Sequence, residues 1–231
     1  MNLEEEAELR RKLIAIAKKC LQHKLMSVTW GNLSVRLGDD RVIITPSGVE
    51  KTALKPEDLL IVDLDGNVVK GRFRPSIETL MHVRIYRERP DVNAVIHTHS
   101  HYAMALAAMG IPIPVLTVEF AAAVGHEIPV TRFVMPGSAE LAEEVAKALG
   151  KDKLVVLIRN HGVVAVGKEI EEAYHVAVLT EEEARTYFWV KLLGKEESSR
   201  IPQDKVKIIR SLFKEKYGQK ERKAILDLGE S

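Results

Sequence analysis

Cysteine is nearly absent from this chain: Cys20 stands alone among 231 residues. No intrachain disulfide can form. Cys20 continues the apolar spacing of Leu13, Ile16 and Ala17, so it reads as a small core residue. No helix start or nearby cation marks it as a thiol nucleophile. Neither sign of charge dominates, with 34 basic residues against 33 acidic. That balance removes the electrostatic case for nucleic acid or an anionic membrane, but leaves room for a small anionic substrate held by local positive potential. No apolar run approaches the roughly 20 residues that a membrane span requires. The acidic start Met1-Asn2-Leu3-Glu4-Glu5-Glu6 lacks the apolar core of a signal peptide. A cytoplasmic protein is the expectation. Repeats, low-complexity stretches and linkers are missing too. So are the GxGxxG loop and the regular βαβ alternation of a parallel dinucleotide-binding sheet.

What is present suits one well-filled domain, since 46% of residues are hydrophobic and 29% charged. Helical spacing runs over residues 4–25, and Gly31-Asn32 breaks it. Residues 33–37 and 41–44 read as strands around the turn Gly38-Asp39-Asp40. Residues 59–63 and 67–70 form a second pair around Asp65-Gly66. Ser76 is placed to cap a helix reaching about Arg87. A strand over 94–99 and a short helix over 101–109 follow. Two antiparallel strands, 153–158 and 163–166, flank the His161-Gly162 turn. A long helix over 169–193 and a last one over 203–217 complete the chain. The fold class expected is α/β of the α+β type: a single domain over 1–218, with a largely antiparallel central sheet flanked by helices. Residues 219–231 form a polar tail.

The chemistry gathers around His97-Thr98-His99. Alternate strand residues share a face, so the two imidazoles can grip one ion. Glu78 in Pro75-Ser76-Ile77-Glu78 and His161 in Arg159-Asn160-His161-Gly162 supply further ligands. Three imidazoles and one carboxylate suit Zn²⁺ or a similar divalent ion. Structural zinc sites favour cysteine, whereas a histidine-rich site with one labile carboxylate suits Lewis-acid catalysis. Glu78, once displaced by substrate, becomes a general base beside it. His82 reads as a residue packed behind the site, and His101 lies past the strand's end. Upstream, Gly31-Asn32, Ser47-Gly48 and Ser76 offer backbone N–H groups, an amide and hydroxyls. Together they make a phosphate cradle without a P-loop.

Five motifs in order carry a family resemblance: Trp30-Gly31-Asn32-Leu33-Ser34, Thr45-Pro46-Ser47-Gly48, Pro75-Ser76-Ile77-Glu78, His97-Thr98-His99 and Asn160-His161-Gly162. Over roughly residues 5–217 the chain resembles the class II sugar-phosphate aldolases of the L-fuculose-1-phosphate aldolase and L-ribulose-5-phosphate 4-epimerase family, whose fold adducin heads share. The resemblance implies one Zn²⁺ per subunit on His97, His99 and His161, with Glu78 as ligand and acid/base. It implies phosphate binding by Asn32, Ser47, Gly48 and Ser76, with Gly31 shaping the loop. It implies a homotetramer with active sites between subunits. It also implies that Tyr217, in Tyr217-Gly218, donates to the substrate near the breaking bond.

Two departures stand out. The family's second phosphate-binding serine is Ile77 here, which leaves its backbone N–H to serve. A tyrosine of the bacterial fuculose-phosphate aldolases has Val118 as its nearest counterpart. The expected reaction is cleavage of L-fuculose 1-phosphate to dihydroxyacetone phosphate and L-lactaldehyde through a metal-stabilised enediolate. The family's epimerases tend to carry aspartate where this chain has Glu78. L-Ribulose-5-phosphate 4-epimerase and methylthioribulose-1-phosphate dehydratase are the alternatives on the same scaffold.

Overall fold

The computed structural model describes residues 3–216. Helix α1 (Leu3–Gln22) buries Leu13, Ile16, Ala17 and Cys20, a spacing that lines one helical face. Burial pushes the Cys20 thiol up to about 12, which makes it inert. Strands β1 (Asn32–Leu37) and β2 (Arg41–Ile44) meet across a turn where Gly38 takes φ +69°. A 3₁₀ turn at Pro56–Asp58 leads to β3 (Leu60–Asp63), β4 (Val68–Lys70), α2 (Thr79–Glu88) and β5 (Ala94–Thr98). Next come α3 (His101–Met109), α4 (Val118–Ala123) and α5 (Ala139–Leu149). Strands β6 (Val155–Ile158) and β7 (Gly162–Gly167) precede α6 (Ile170–Leu192), α7 (Glu196–Ser199) and α8 (Gln203–Lys216).

The strands form one seven-stranded sheet in the order β4-β3-β2-β1-β5-β7-β6, with every neighbouring pair antiparallel. Alternation along the strands splits the core in two. Leu33, Val35, Ile43, Ile96 and Ala165 face a cluster that takes in residues of α1, α3, α4 and α6. Val42, Ile44, Val95, Val156 and Val164 face the cluster formed with α2 and α5. The sheet is thus covered on both faces, and inner strand β7, buried throughout, reads as a continuous apolar run. No described helix is long and apolar enough to cross a membrane.

Several expectations need correction. The helix placed from Ser76 begins at Thr79, with Glu78 at its N-cap. Ser76 instead closes a local turn: its carbonyl accepts from the Thr79 N–H (3.1 Å) and hydroxyl (2.7 Å), and its Oγ accepts the Glu78 N–H (3.3 Å). The strand expected to reach His99 stops at Thr98. Helices α4 and α5 were not expected. Tyr217 and the tail lie outside the described residues.

Candidate metal centre

Strand order lays the site out in a row. Ser34 pairs with Ile44, Asn32 with His97, and Ile158 with Gly162. The end of β2, the start of β1, the end of β5 and the β6–β7 turn therefore share one sheet end. They carry, in that order, Ser47 with Gly48, Asn32, His97 with His99, and His161. Glu78 reaches the row from the start of α2.

His97 is fully buried, and its Nδ1–H donates to the Val163 carbonyl (2.9 Å). A carbonyl only accepts, so Nδ1 carries the proton and Nε2 keeps a lone pair for the site. His99 Nε2 lies 2.9 Å from His97 Nε2. Glu78 Oε2 lies 3.2 Å from His97 Nε2, and Oε1 3.2 Å from His161 Nε2. The ligand atoms of the three histidines all fall within 4.8 Å of one another. A tetrahedral ion with bonds near 2.0–2.1 Å separates its ligand atoms by about 3.3 Å. The short separations match that edge. Glu78 Oε1 is buried without a hydrogen-bond partner. Such an atom is costly unless a cation or donor meets it. Three imidazole nitrogens and one orphaned carboxylate oxygen thus fit a divalent ion of borderline softness.

The electrostatics agree. Burial, reinforced by His97 and His161, pulls His99 down to about 3. Burial and His97 pull His161 down to about 4. Both are neutral at ordinary pH, which is the ligand form. Burial works to raise the Glu78 carboxyl, but the facing His97 and His161 and the Asn32 hydrogen bond outweigh it and hold it below the usual range. It is therefore anionic.

Two glycines and one turn make this convergence possible. A Cβ at Gly162 would sit 2.4 Å from the Thr98 carbonyl oxygen, 2.9 Å from His97 Cε1 and 3.0 Å from His99 Cδ2. Asn160 takes φ +56° in the turn that brings His161 back over the sheet end. Gly31, at φ +81°, passes where a Cβ would meet Met26 Cγ (2.8 Å) and the His97 carbonyl oxygen (2.9 Å).

The residues expected to hold phosphate lie alongside. Pro46 bridges Pro75, and the Ser47 N–H donates to the Arg74 carbonyl (3.0 Å), so the Ser47-Gly48 loop abuts Ser76-Ile77. Ser76 is buried, whereas Ser47, Gly48 and Ile77 are exposed. Asn32 is buried and spends one Nδ2–H on Glu78 Oε2 (2.8 Å). Its second N–H is left for a ligand. His101 opens α3, outside the cluster, and Val118 is exposed at the start of α4. Two neighbours have no role assigned from sequence. The exposed Trp30 ring lies 5.8 Å from the His99 ring at a 34° tilt. Lys51 is buried, its Nζ donates to the Thr29 carbonyl (2.8 Å), and burial pulls it down to about 8. Its polar loop gave no signal of burial. Trp30 was visible as an aromatic two residues before Asn32.

Comparisons with known proteins give the family and the fold. Residues 11–188 match the family described as Class II Aldolase and Adducin N-terminal domain. The chain is 35% identical over 211 residues to a 5-deoxy-D-ribulose 1-phosphate aldolase of Bacillus thuringiensis serovar kurstaki, covering 91% of this chain and 97% of that relative. It is 37% identical over 176 residues to an L-ribulose-5-phosphate 4-epimerase UlaF of Salmonella paratyphi B, covering 71% of this chain and 77% of the relative. A solved structure of an L-fuculose 1-phosphate aldolase superposes with a TM-score of 0.84 at 32% identity, covering 90% of this chain and 96% of that one.

Proposed function

This chain belongs to the class II aldolase and adducin family, and from that premise we propose that it is a zinc-dependent aldolase acting on a ketose 1-phosphate. The observation that carries the reading is the convergence of His97, His99 and His161 on Glu78, whose Oε1 has no other partner. A Zn²⁺ held there would supply Lewis-acid chemistry, drawing charge from the substrate carbonyl and the hydroxyl beside it. Asn32, Ser47, Gly48, Ser76 and the Ile77 N–H hold the phosphate, which lies toward the β2 side of the row. The rest of the sugar chain then extends along the row toward His161. As the C3–C4 bond breaks, the C4 hydroxyl gives up its proton, to Tyr217 or a water, and the aldehyde leaves. From there the proton passes to the Glu78 carboxylate, which returns it to C3 of the remaining fragment, yielding dihydroxyacetone phosphate with no net gain or loss of protons. A homotetramer with shared sites belongs to the same proposal.

The two relatives named as aldolases act, by name, on ketose 1-phosphates that both end in a methyl group. L-Fuculose 1-phosphate and 5-deoxy-D-ribulose 1-phosphate are therefore the first substrates to test. The second reading, 4-epimerisation of L-ribulose 5-phosphate, is favoured by the relative that carries that name. Purified protein is incubated with each of the three sugars, and dihydroxyacetone phosphate is measured. Its release from either ketose 1-phosphate supports the aldolase. Its absence from both, with a new pentose 5-phosphate epimer formed, transfers the site to the second reading.

A further inference from the structure

His82 is fully buried, and the reaction proposed above gives it no part. It lies one helical turn after Glu78 on α2, and Tyr86 follows one turn later, so the three share a face. Asn32, Ser34 and Arg36 alternate along the facing side of β1. The two rows close like a zip. Tyr86 Oη lies 2.8 Å from Ser34 Oγ, and Ser34 Oγ lies 2.6 Å from His82 Nδ1. His82 Nε2 lies 2.5 Å from Asn32 Oδ1, and Asn32 Nδ2 lies 2.8 Å from Glu78 Oε2. At the far end Arg36 donates to the Tyr86 carbonyl (2.8 Å) and covers its ring.

The chemistry of each group fixes the direction of this chain. A carboxylate only accepts, so Asn32 turns its NH₂ toward Glu78 and its Oδ1 toward His82. Oδ1 also only accepts, so His82 carries its proton on Nε2. Burial keeps that ring neutral, pulling it down to about 3, and leaves Nδ1 bare. Nδ1 accepts the Ser34 hydroxyl proton, and Ser34 Oγ accepts from Tyr86. Every donor points toward Glu78, and such chains polarise cooperatively in a dry interior.

We infer that His82 is a positioning residue: its Nε2–H locks the Asn32 amide so that its NH₂, and not its oxygen, faces the Glu78 carboxylate. Without that lock the amide can turn over and set Oδ1 against Oε2, two acceptors in contact. The consequence for turnover rests on the proposed aldolase reading, but the lock does not. Its first test is ¹⁵N NMR of the wild-type protein labelled at histidine, with the His82 signal assigned by its loss in His82→Gln. A neutral ring protonated at Nε2 is expected. An Nδ1–H ring, which leaves Nε2 bare against Asn32 Oδ1, overturns the inference.

Zn²⁺ titrated into chelator-stripped protein provides the second test. His82→Leu should weaken binding about 10- to 100-fold, the usual cost of losing a group that orients a ligand. His82→Gln, whose amide can still donate to Oδ1, should restore most of it. In an Asn32→Ala background, with no amide left to orient, His82→Leu should change affinity by about twofold or less. An undiminished effect in that background means that His82 merely packs, and the inference fails. A wild-type protein that releases no dihydroxyacetone phosphate defeats the aldolase reading and leaves both of these tests standing.

Discussion

Replacing Glu78 with glutamine changes one oxygen to an NH₂ and keeps the shape. Asn32 donates to the Oε2 position at 2.8 Å, so the new amide must put its oxygen there. Its NH₂ then takes the place of Oε1, 3.2 Å from His161 Nε2, where it can donate to that ring. The buried orphan acceptor disappears, so Glu78→Gln should fold and melt no lower than the parent. His97, His99 and His161 remain, and saturating Zn²⁺ should still load the site, although His161 is now partly engaged. What is lost is the proton carrier. General acid–base catalysis is worth about 10²- to 10⁴-fold, which is about 3–5 kcal/mol on the activation barrier. The phosphate cradle is untouched, so KM should change far less than kcat. The assay is release of dihydroxyacetone phosphate against ketose 1-phosphate concentration, with metal content measured on the same sample. A metal-loaded Glu78→Gln that keeps kcat within about tenfold of wild type would refute the acid–base role.

Three other perturbations probe the same centre. His161→Ala removes one ligand and the partner of Glu78 Oε1, so the purified variant should carry no stoichiometric divalent ion and show no turnover; full metal occupancy would exclude His161 as a ligand. Gly162→Ala inserts a methyl group 2.4 Å from the Thr98 carbonyl oxygen and against both His97 and His99. It should cost about 1–3 kcal/mol in chemical denaturation and loosen Zn²⁺ as well, whereas an unchanged Zn²⁺ affinity would show that the rings need no such close approach. In chelator-treated protein, His82, His99 and His161 sit at about 3, 3 and 4 against an ordinary 6.5. Between 6.5 and those values the unfolded chain takes up protons that the folded chain refuses. Stability should therefore fall as pH drops from about 6.5 to about 4, and these groups should leave it level above that window; a urea midpoint equal at about pH 7 and about pH 5 would contradict the burial of these rings.

Local patterns in the sequence were legible where one local rule decided the outcome. The Asp65-Gly66 hairpin, the β6–β7 turn and the apolar stripe of α1 needed no distant information. The start of α2 was misread because Ser76 satisfies the capping pattern yet bonds to Glu78 two residues on. Helix α5 had signals that went unused: Ser138 caps it by accepting from Leu141 N–H, and Gly150 ends it. The prolines and glycines around it, such as Pro129, Pro136 and Gly137, made the whole stretch look like loop. Glu78, His97, His99 and His161 could be named as candidates because ligand chemistry restricts the choice, and the fold brings them together. Contacts across long separations were not legible. Nothing local says that Asn32 reaches Glu78, 46 residues away, or that Lys51 is buried. Asn32 was expected to bind phosphate alone, and the fold gives its amide a second task.

The division between buried and exposed groups bears on how one scaffold serves relatives named for different sugars. Each buried group in the centre answers to several constraints at once. His97 is fixed by Val163 and Gly162, Asn32 by His82 and Glu78, and Glu78 by Asn32 and two histidines. A substitution at any of them leaves a partner unsatisfied inside the protein, so it disturbs the fold and the chemistry together. Trp30 and Ile77 flank the same centre but are 63% and 67% exposed. Their side chains bond to nothing that the sheet needs. They can change while the buried histidines, Glu78 and the polar zip stay in place. A substitution therefore costs less at Trp30 and Ile77 than at the buried groups of the centre.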